Sequence, residues 1–269
     1  SGELDAIRGE IQKMRQLTDR PFGVNIAQAF VRDPGIVDFV IEEGVRFVTT
    51  SAGNPNQYTR ALKDAGLTVF HVVPTLRAAR KAVDAGVDGL VVEGGEGGGF
   101  KNPSPVSTLV LVPLIREKLD VPIVAAGGIC DGASMAAAFA LGAEGVQMGT
   151  RMVSATESPV HENWKQAIVA APDTGTLFLR NEKGPALRAL RTARTEAIAS
   201  EGRNSMAELG AGVREVYFGG DLEAGVALTG QVAGRIEAVE PVAEILARTV
   251  REFGETIERL QAEIAHSPA

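Results

Sequence analysis

Residues 121–150 read VPIVAAGGICDGASMAAAFALGAEGVQMGT. A short apolar run ends at Gly127-Gly128, a helical stretch follows, Gly142 turns the chain, and a second run ends at Gly149-Thr150. Glycine just past a helix adopts the left-handed conformation at little cost and directs the chain into the next strand. Working outward, the same pattern recurs from residue 21 to residue 150. The expected strands are 22–26, 47–50, 68–73, 89–92, 122–126 and 145–148, with Gly44, Gly66, Gly86 and Gly142 at the helix ends before four of them. Strand starts lie 21 to 33 residues apart, the length of a βα unit. The runs are apolar throughout rather than alternating, which predicts strands buried on both faces of a parallel sheet.

The segments between the strands read as amphipathic helices, clearest in LRAARKAVDAG at 76–86. Regular strand–helix alternation means a parallel sheet, and periodicity alone leaves open a (β/α) barrel or a doubly wound sheet. The chain opens with a helix over 4–16, and six strands are visible where a (β/α)8 barrel needs eight. We therefore expect two further βα units to precede Ser1, because an open six-stranded sheet leaves two apolar edges bare. After Thr150 the pattern changes. Residues 155–235 predict a helical cap (HENWKQAIVAA, GPALRALRTARTEAIA) without a strong buried strand, and a long amphipathic helix is expected over 239–265. The expected domains are 1–153 with 236–269 as the barrel and 154–235 as a smaller helical cap.

The chain has 269 residues, 45% hydrophobic and 23% charged, enough for a large α/β core. A net charge of −7 argues against a nucleic acid or an anionic membrane as partner. No apolar run reaches the length of a membrane span. The single cysteine, Cys130, forms no intramolecular disulfide and fits a reducing compartment, so a cytoplasmic location is expected. The apolar face of the last helix leaves room for a homodimer.

Candidate chemistry gathers at the strand ends. Gly94-Gly95-Glu96-Gly97-Gly98-Gly99-Phe100 places five glycines after a buried strand, where bare backbone approaches a flat ring or a phosphate closely. It matches neither the dinucleotide fingerprint nor a P-loop, and a flexible loop is the alternative reading. Ala126-Gly127-Gly128-Ile129 and Met148-Gly149-Thr150 end consecutive strands, as the last two βα loops of phosphate-binding barrels do. Asn25, Thr50, Ser51, His71, Glu93 and Gln147 offer polar groups at the same end, each with a helix-capping or loop role as its alternative. His71 is the weak catalytic candidate, since a lone strand histidine is usually a hydrogen-bonded core residue. No metal is expected: His161-Glu162 is followed by Lys165 where a zinc helix needs a second His. Hydrolase motifs are absent, Cys130 lacks a nearby His partner, and Trp164 reads as packing.

The stretches PFGVNI, FVTTSAG, TVFHVVPTLRAARKAVDAGVDGLVVEGGEGGGF, VPIVAAGGICDG, GAEGVQMGTRM, ESPVHENWKQAI and LTGQVAGRI, in this order, resemble the FMN-dependent nitronate monooxygenases and the related flavin enoyl-ACP reductases. The resemblance implies a TIM barrel with a helical domain, bound FMN and no metal. It also implies that two further βα units come first. It assigns Asn25 to the flavin ring, Ser51-Ala52-Gly53 to the mouth, and the loop of Gly94, Gly98 and Gly99 to the neighbourhood of the ring. Gly127, Gly128, Gly149 and Thr150 are assigned to the FMN phosphate, flanked by Ala126, Gln147 and Met148.

Two departures bear on chemistry. Phe100 stands where many members carry the His that removes a proton α to the nitro group, and phenylalanine transfers no proton. Val72 stands where several relatives carry Lys. The expected function is therefore oxidation of alkyl nitronates, already deprotonated, with O2 as co-substrate, and neutral nitroalkanes are expected to be poor substrates. The alternatives are an enoyl-thioester (ACP or CoA) reductase using NAD(P)H, with residues 100–105 as a lid carrying Lys101, and a non-catalytic flavin-binding protein.

Overall fold

A computed structural model describes residues 2–181, 183–203 and 205–266. In chain order it forms α1 (Gly2–Leu17), β1 (Gly23–Ala27), α2 (Ile36–Glu42), β2 (Phe47–Ser51), α3 (Thr59–Asp64), β3 (Thr68–Val73), α4 (Leu76–Asp84), β4 (Gly89–Glu93) and β5 (Gly99–Lys101). There follow α5 (Thr108–Lys118), β6 (Ile123–Ala126), α6 (Gly132–Ala140), β7 (Gly145–Gln147), α7 (Thr150–Val153) and α8 (Glu162–Val169). The remainder is β8 (Thr176–Leu179), β9 (Ala186–Leu190), α9 (Ala193–Glu201), α10 (Ser205–Gly210) and α11 (Val242–His266).

All six expected strands are present and pair in parallel in the order β1-β2-β3-β4-β6-β7, a curled half-barrel. The four helix-end glycines adopt φ between +66° and +99°, the conformation the sequence assigned to them. A Cβ at Gly44, Gly66 or Gly86 would meet no atom, so backbone conformation rather than crowding requires glycine there. The strands β2, β3 and β4 supply the core: Val48, Val69, Val73, Leu90 and Val92 are fully buried. Each such side chain contributes about 1.5–3 kcal/mol of transfer free energy. Burial on both faces holds only for β4 and largely for β6; β2 and β3 alternate buried with half-buried residues, and the edge strands β1 and β7 are partly open, because one face of the half-barrel borders the open cavity.

Register carries the strand ends to one rim. Ser51 pairs with Ala27, His71 with Thr50, Glu93 with Ala126, and Ala126 with Gln147. The polar residues singled out in the sequence therefore share the C-terminal edge of the sheet, where (β/α) barrels carry their sites.

The cap differs from expectation. Residues 176–179 and 186–190 are strands, and β5, β9 and β8 form an antiparallel three-stranded sheet. The stretch GPALRALRTARTEAIA is thus strand then helix, not one helix, and the cap is mixed rather than helical. All five residues of β9 are buried between two partner strands, and pairing of that kind overrides the helical preference of Ala, Leu and Arg. Thr192 ends the strand and caps α9, its hydroxyl accepting from Thr195 N at 3.2 Å. Trp164 packs as expected: it is buried, edge-on to Tyr217 with ring centroids 4.5 Å apart, and donates from Nε1 to Thr229 Oγ1. The long helix α11 returns to the barrel and packs on α6 through Phe253 and Phe139. Among the described residues no helix is long and apolar enough to cross a membrane.

Candidate active site

The rim holds two contiguous cavities, one of about 1020 Å³ and one of about 190 Å³, which share Glu93, Gly98, Gly99 and Gln147. The large one takes in Asn25, Ser51, His71, Phe100 and Met148, and the small one Ala126, Gly127, Gly128, Gly149 and Thr150. Every residue the sequence singled out as a cofactor contact therefore lines one cavity or both, except Gly94. A Cβ on Gly94 would strike Thr108, and its N–H donates to Ala126 O at 3.0 Å. Packing beneath the loop explains that glycine.

The 94–99 loop is pinned, not flexible. Gly95 N–H donates to Val106 O at 2.8 Å, and Gly95 O accepts from Arg188 Nε at 2.8 Å. The Glu96 carboxylate accepts from Thr108 N and Oγ1 at 3.0 Å, while Glu96 O accepts from Gln231 N. Added Cβ atoms would lie 2.7 Å from Pro105 at Gly95, 2.6 Å from Glu93 at Gly97 and 2.8 Å from Gly230 N at Gly98. The glycine run is thus needed where three backbone segments pack together.

Lys101 does not belong to an open lid. It is 4% exposed, lies on β5, and its ammonium sits 2.8 Å from Glu93 Oε1 while donating to Gly98 O and Phe100 O. Burial lowers its pKa and Glu93 opposes that shift. A lysine two residues past a glycine run reads as solvated in sequence, and only the antiparallel partner β9 buries it. Phe100, next to it, lines the large cavity with its ring edge-on to Phe30, centroids 5.3 Å apart.

The small cavity is walled largely by backbone. Gly127 and Gly128 are both left-handed, with φ of +86° and +80°. Among the described residues no acceptor takes the N–H groups of Gly128 and Ile129. Gly149 has open space where a Cβ would stand. Thr150 Oγ1 accepts from Gly230 N at 2.8 Å, which draws the 228–230 loop over the cavity. Gly230 carried no assigned role in the sequence; its signal was the LTGQ turn, and its partner lies 80 residues away. The carboxylates of Glu93 and Glu96 also border this space, but each is already engaged, by Lys101 and by Thr108.

In the large cavity, Asn25 Oδ1 accepts from Thr49 Oγ1 at 2.9 Å and Ser51 Oγ at 3.4 Å, which leaves its amide N–H groups as the available donors. His71 is buried, with Nδ1 2.7 Å from Thr50 Oγ1. Burial first, and Lys81 second, hold its pKa down to about 4, so the imidazole is neutral near pH 7. Cys130 is buried and burial pushes its thiol up to about 11, the opposite of an activated nucleophile.

A family model described as nitronate monooxygenase matches residues 26–252. The chain is 38% identical over 186 residues to a (3aS,4S,5R,7aS)-5-hydroxy-7a-methyl-1-oxo-octahydro-1H-indene-4-carboxyl-CoA dehydrogenase of Rhodococcus jostii, covering 69% of this chain and 52% of the relative. A nitronate monooxygenase of Paraburkholderia phytofirmans is 28% identical, with 96% of this chain and 84% of that protein covered. Among solved structures, FabK from Thermotoga maritima superposes with a TM-score of 0.89 at 42% identity, covering 97% of this chain and 84% of that one. The chain spans about half the length of the R. jostii dehydrogenase.

Proposed function

The chain belongs to the nitronate monooxygenase family, and on that premise we propose that it is an FMN-dependent oxidoreductase whose flavin spans the two cavities. The observation that carries this reading is their contiguity: a small space walled by bare backbone opens into a large one edged by amide and hydroxyl groups. A phosphate monoester suits the first, since the free N–H groups of Gly128 and Ile129 donate to an anion without steric cost. A flat heteroaromatic ring suits the second, where Asn25 and Gln147 present amides. Bound FMN would supply electron or hydride transfer, and the chain supplies position. Phe100 lines the ring cavity and packs edge-on to the exposed Phe30, and the Lys101–Glu93 pair fixes the glycine loop beneath. In this reading residues 1–153 with 236–269 form the flavin-holding unit, and 154–235 the cap that contributes Gly230.

For the substrate we favour an enoyl thioester of the acyl-carrier or CoA type, with NAD(P)H as reductant. Three observations support this. The cavity of about 1020 Å³ takes in Asn25 at the ring position and also Arg77, Pro103 and Pro185, a longer lining than a flavin ring with a small nitronate needs. Position 100 holds no proton acceptor. The R. jostii dehydrogenase, 38% identical over 69% of this chain, is named for a CoA ester, and FabK is 42% identical over nearly the whole chain. Oxidation of alkyl nitronates with O2 is the second reading, favoured by the family match and by the fact that a nitronate needs no base. Anaerobic mixing of the yellow protein separates them. Bleaching by NADH or NADPH and recolouring by an enoyl-CoA supports the reductase. Bleaching by ethyl nitronate alone supports the second reading, and a chain that takes up no FMN sinks both.

A further inference from the structure

The large cavity has a charged rim that the flavin reading leaves unused. Helix α4 begins where β3 ends, and two of its cations, Arg77 and Lys81, line this cavity one turn apart, about 6 Å along the helix axis. Among the described residues neither has a carboxylate partner, although ion pairs are frequent elsewhere in the fold, as at Arg8–Glu43 and Arg248–Glu240. Lys101, the remaining cation of the described lining, is paired with Glu93, the only carboxylate among the described lining residues. The lining therefore carries two uncompensated positive charges in a chain of net charge −7. A local field of that sign in a cleft of an acidic protein concentrates anions there. Asn102, Pro103, Gly184 and Pro185, also in the lining, carry no charge. An extended ligand in this cavity would have its anionic end beside α4.

We propose that Arg77 and Lys81 form a docking site for the phosphate-bearing tail of an extended co-substrate. This rests on the reading that the inner end of the same cavity holds the reacting group. The shared chemistry is a phosphate ester or diphosphate at the end of a long, uncharged arm, which both a CoA-type thioester and a nicotinamide dinucleotide possess. Arg77 offers a planar fork of donors and Lys81 a point charge, a combination suited to two phosphate groups on one chain. Neither residue touches the small glycine-walled cavity, so flavin retention does not depend on them.

The test is isothermal calorimetry on the FMN-loaded protein and on an Arg77→Ala/Lys81→Ala variant, with coenzyme A, phosphate-free pantetheine, NADH and NADPH as probes. Both residues are exposed, so the variant is expected to keep the unfolding temperature and flavin content of the parent. Coenzyme A or NADPH affinity is expected to fall at least about tenfold, with pantetheine unchanged, and the parent's preference is expected to shrink as salt rises. A fall for coenzyme A identifies the thioester carrier as the source of the phosphate, and a fall for the nicotinamide nucleotides alone identifies the reductant. Equal affinity of parent and variant for all four probes overturns the proposal. Loss of flavin binding in the parent would instead refute the underlying function, and it is read independently from the visible spectrum.

Discussion

Substituting Gly149 by alanine separates the needs of the fold from those of the ligand. Gly149 caps α7 with φ −96° and ψ −74°, a conformation open to alanine, and no protein atom lies within 4 Å of the added Cβ. A compatible Gly→Ala change gains about 0.4–1 kcal/mol through the unfolded chain. The poorer capping preference of alanine offsets roughly 0.5–1 kcal/mol of this. The net effect is within about 1 kcal/mol, or roughly 4 °C in melting temperature. The methyl group nevertheless enters a cavity of only about 190 Å³. Overpacking of about 1–3 kcal/mol against a bound phosphate corresponds to a roughly 5- to 150-fold loss of FMN affinity. The assay is quenching of flavin fluorescence, with riboflavin titrated in parallel because it lacks the phosphate. FMN is expected to weaken and riboflavin to be unaffected. An alanine variant that melts like the parent and binds FMN as tightly would refute the placement of the phosphate beside Gly149.

Further outcomes follow from the buried polar groups. Stability is expected to be complete above about pH 6.5 and to fall as pH drops toward 4, because the unfolded chain binds the His71 proton near 6.5 and the folded chain only near 4. The loss is about 3 kcal/mol, and His71→Gln should flatten denaturation midpoints over that window. Lys101→Met strands the Glu93 carboxylate and is expected to lower unfolding free energy in urea by about 3 kcal/mol, with much of it restored by adding Glu93→Gln. Phe100→His places a proton acceptor on the large cavity and is expected to raise oxygen consumption with neutral nitroethane about 100-fold, with no gain on its nitronate; an unchanged rate removes position 100 from proton transfer.

What the sequence disclosed was local and what it concealed was distant. Helix-end glycines such as Gly66 and Gly142 mark strand starts because their conformation is set within a few residues. The runs 68–73 and 89–92 read as strands because they are short, rich in β-branched residues and preceded by the helix-end glycines Gly66 and Gly86. The strands at 176–179 and 186–190 escaped because Arg188 in a run of Ala and Leu looks helical; its guanidinium is accommodated by Gly95 O, Thr176 and the face of Phe178 only after folding. The site followed the same division. Gly127, Gly128 and Gly149 were visible as bare strand ends, whereas Gly230 reaches Thr150 across 80 residues of chain. Lys101 looked like a surface charge for want of its non-local partner strand, and the role of the 94–99 glycines in close packing rather than flexibility appears only once residues 105–108 and 229–230 lie against them.

A crystal structure of the FMN complex would locate the phosphate outright. Its oxygens are expected about 3 Å from the N–H groups of Gly128 and Ile129, with the ring edge facing the Asn25 amide. A phosphate seated anywhere else, including at Arg77 and Lys81, with the small cavity closed or filled by protein, would contradict that placement.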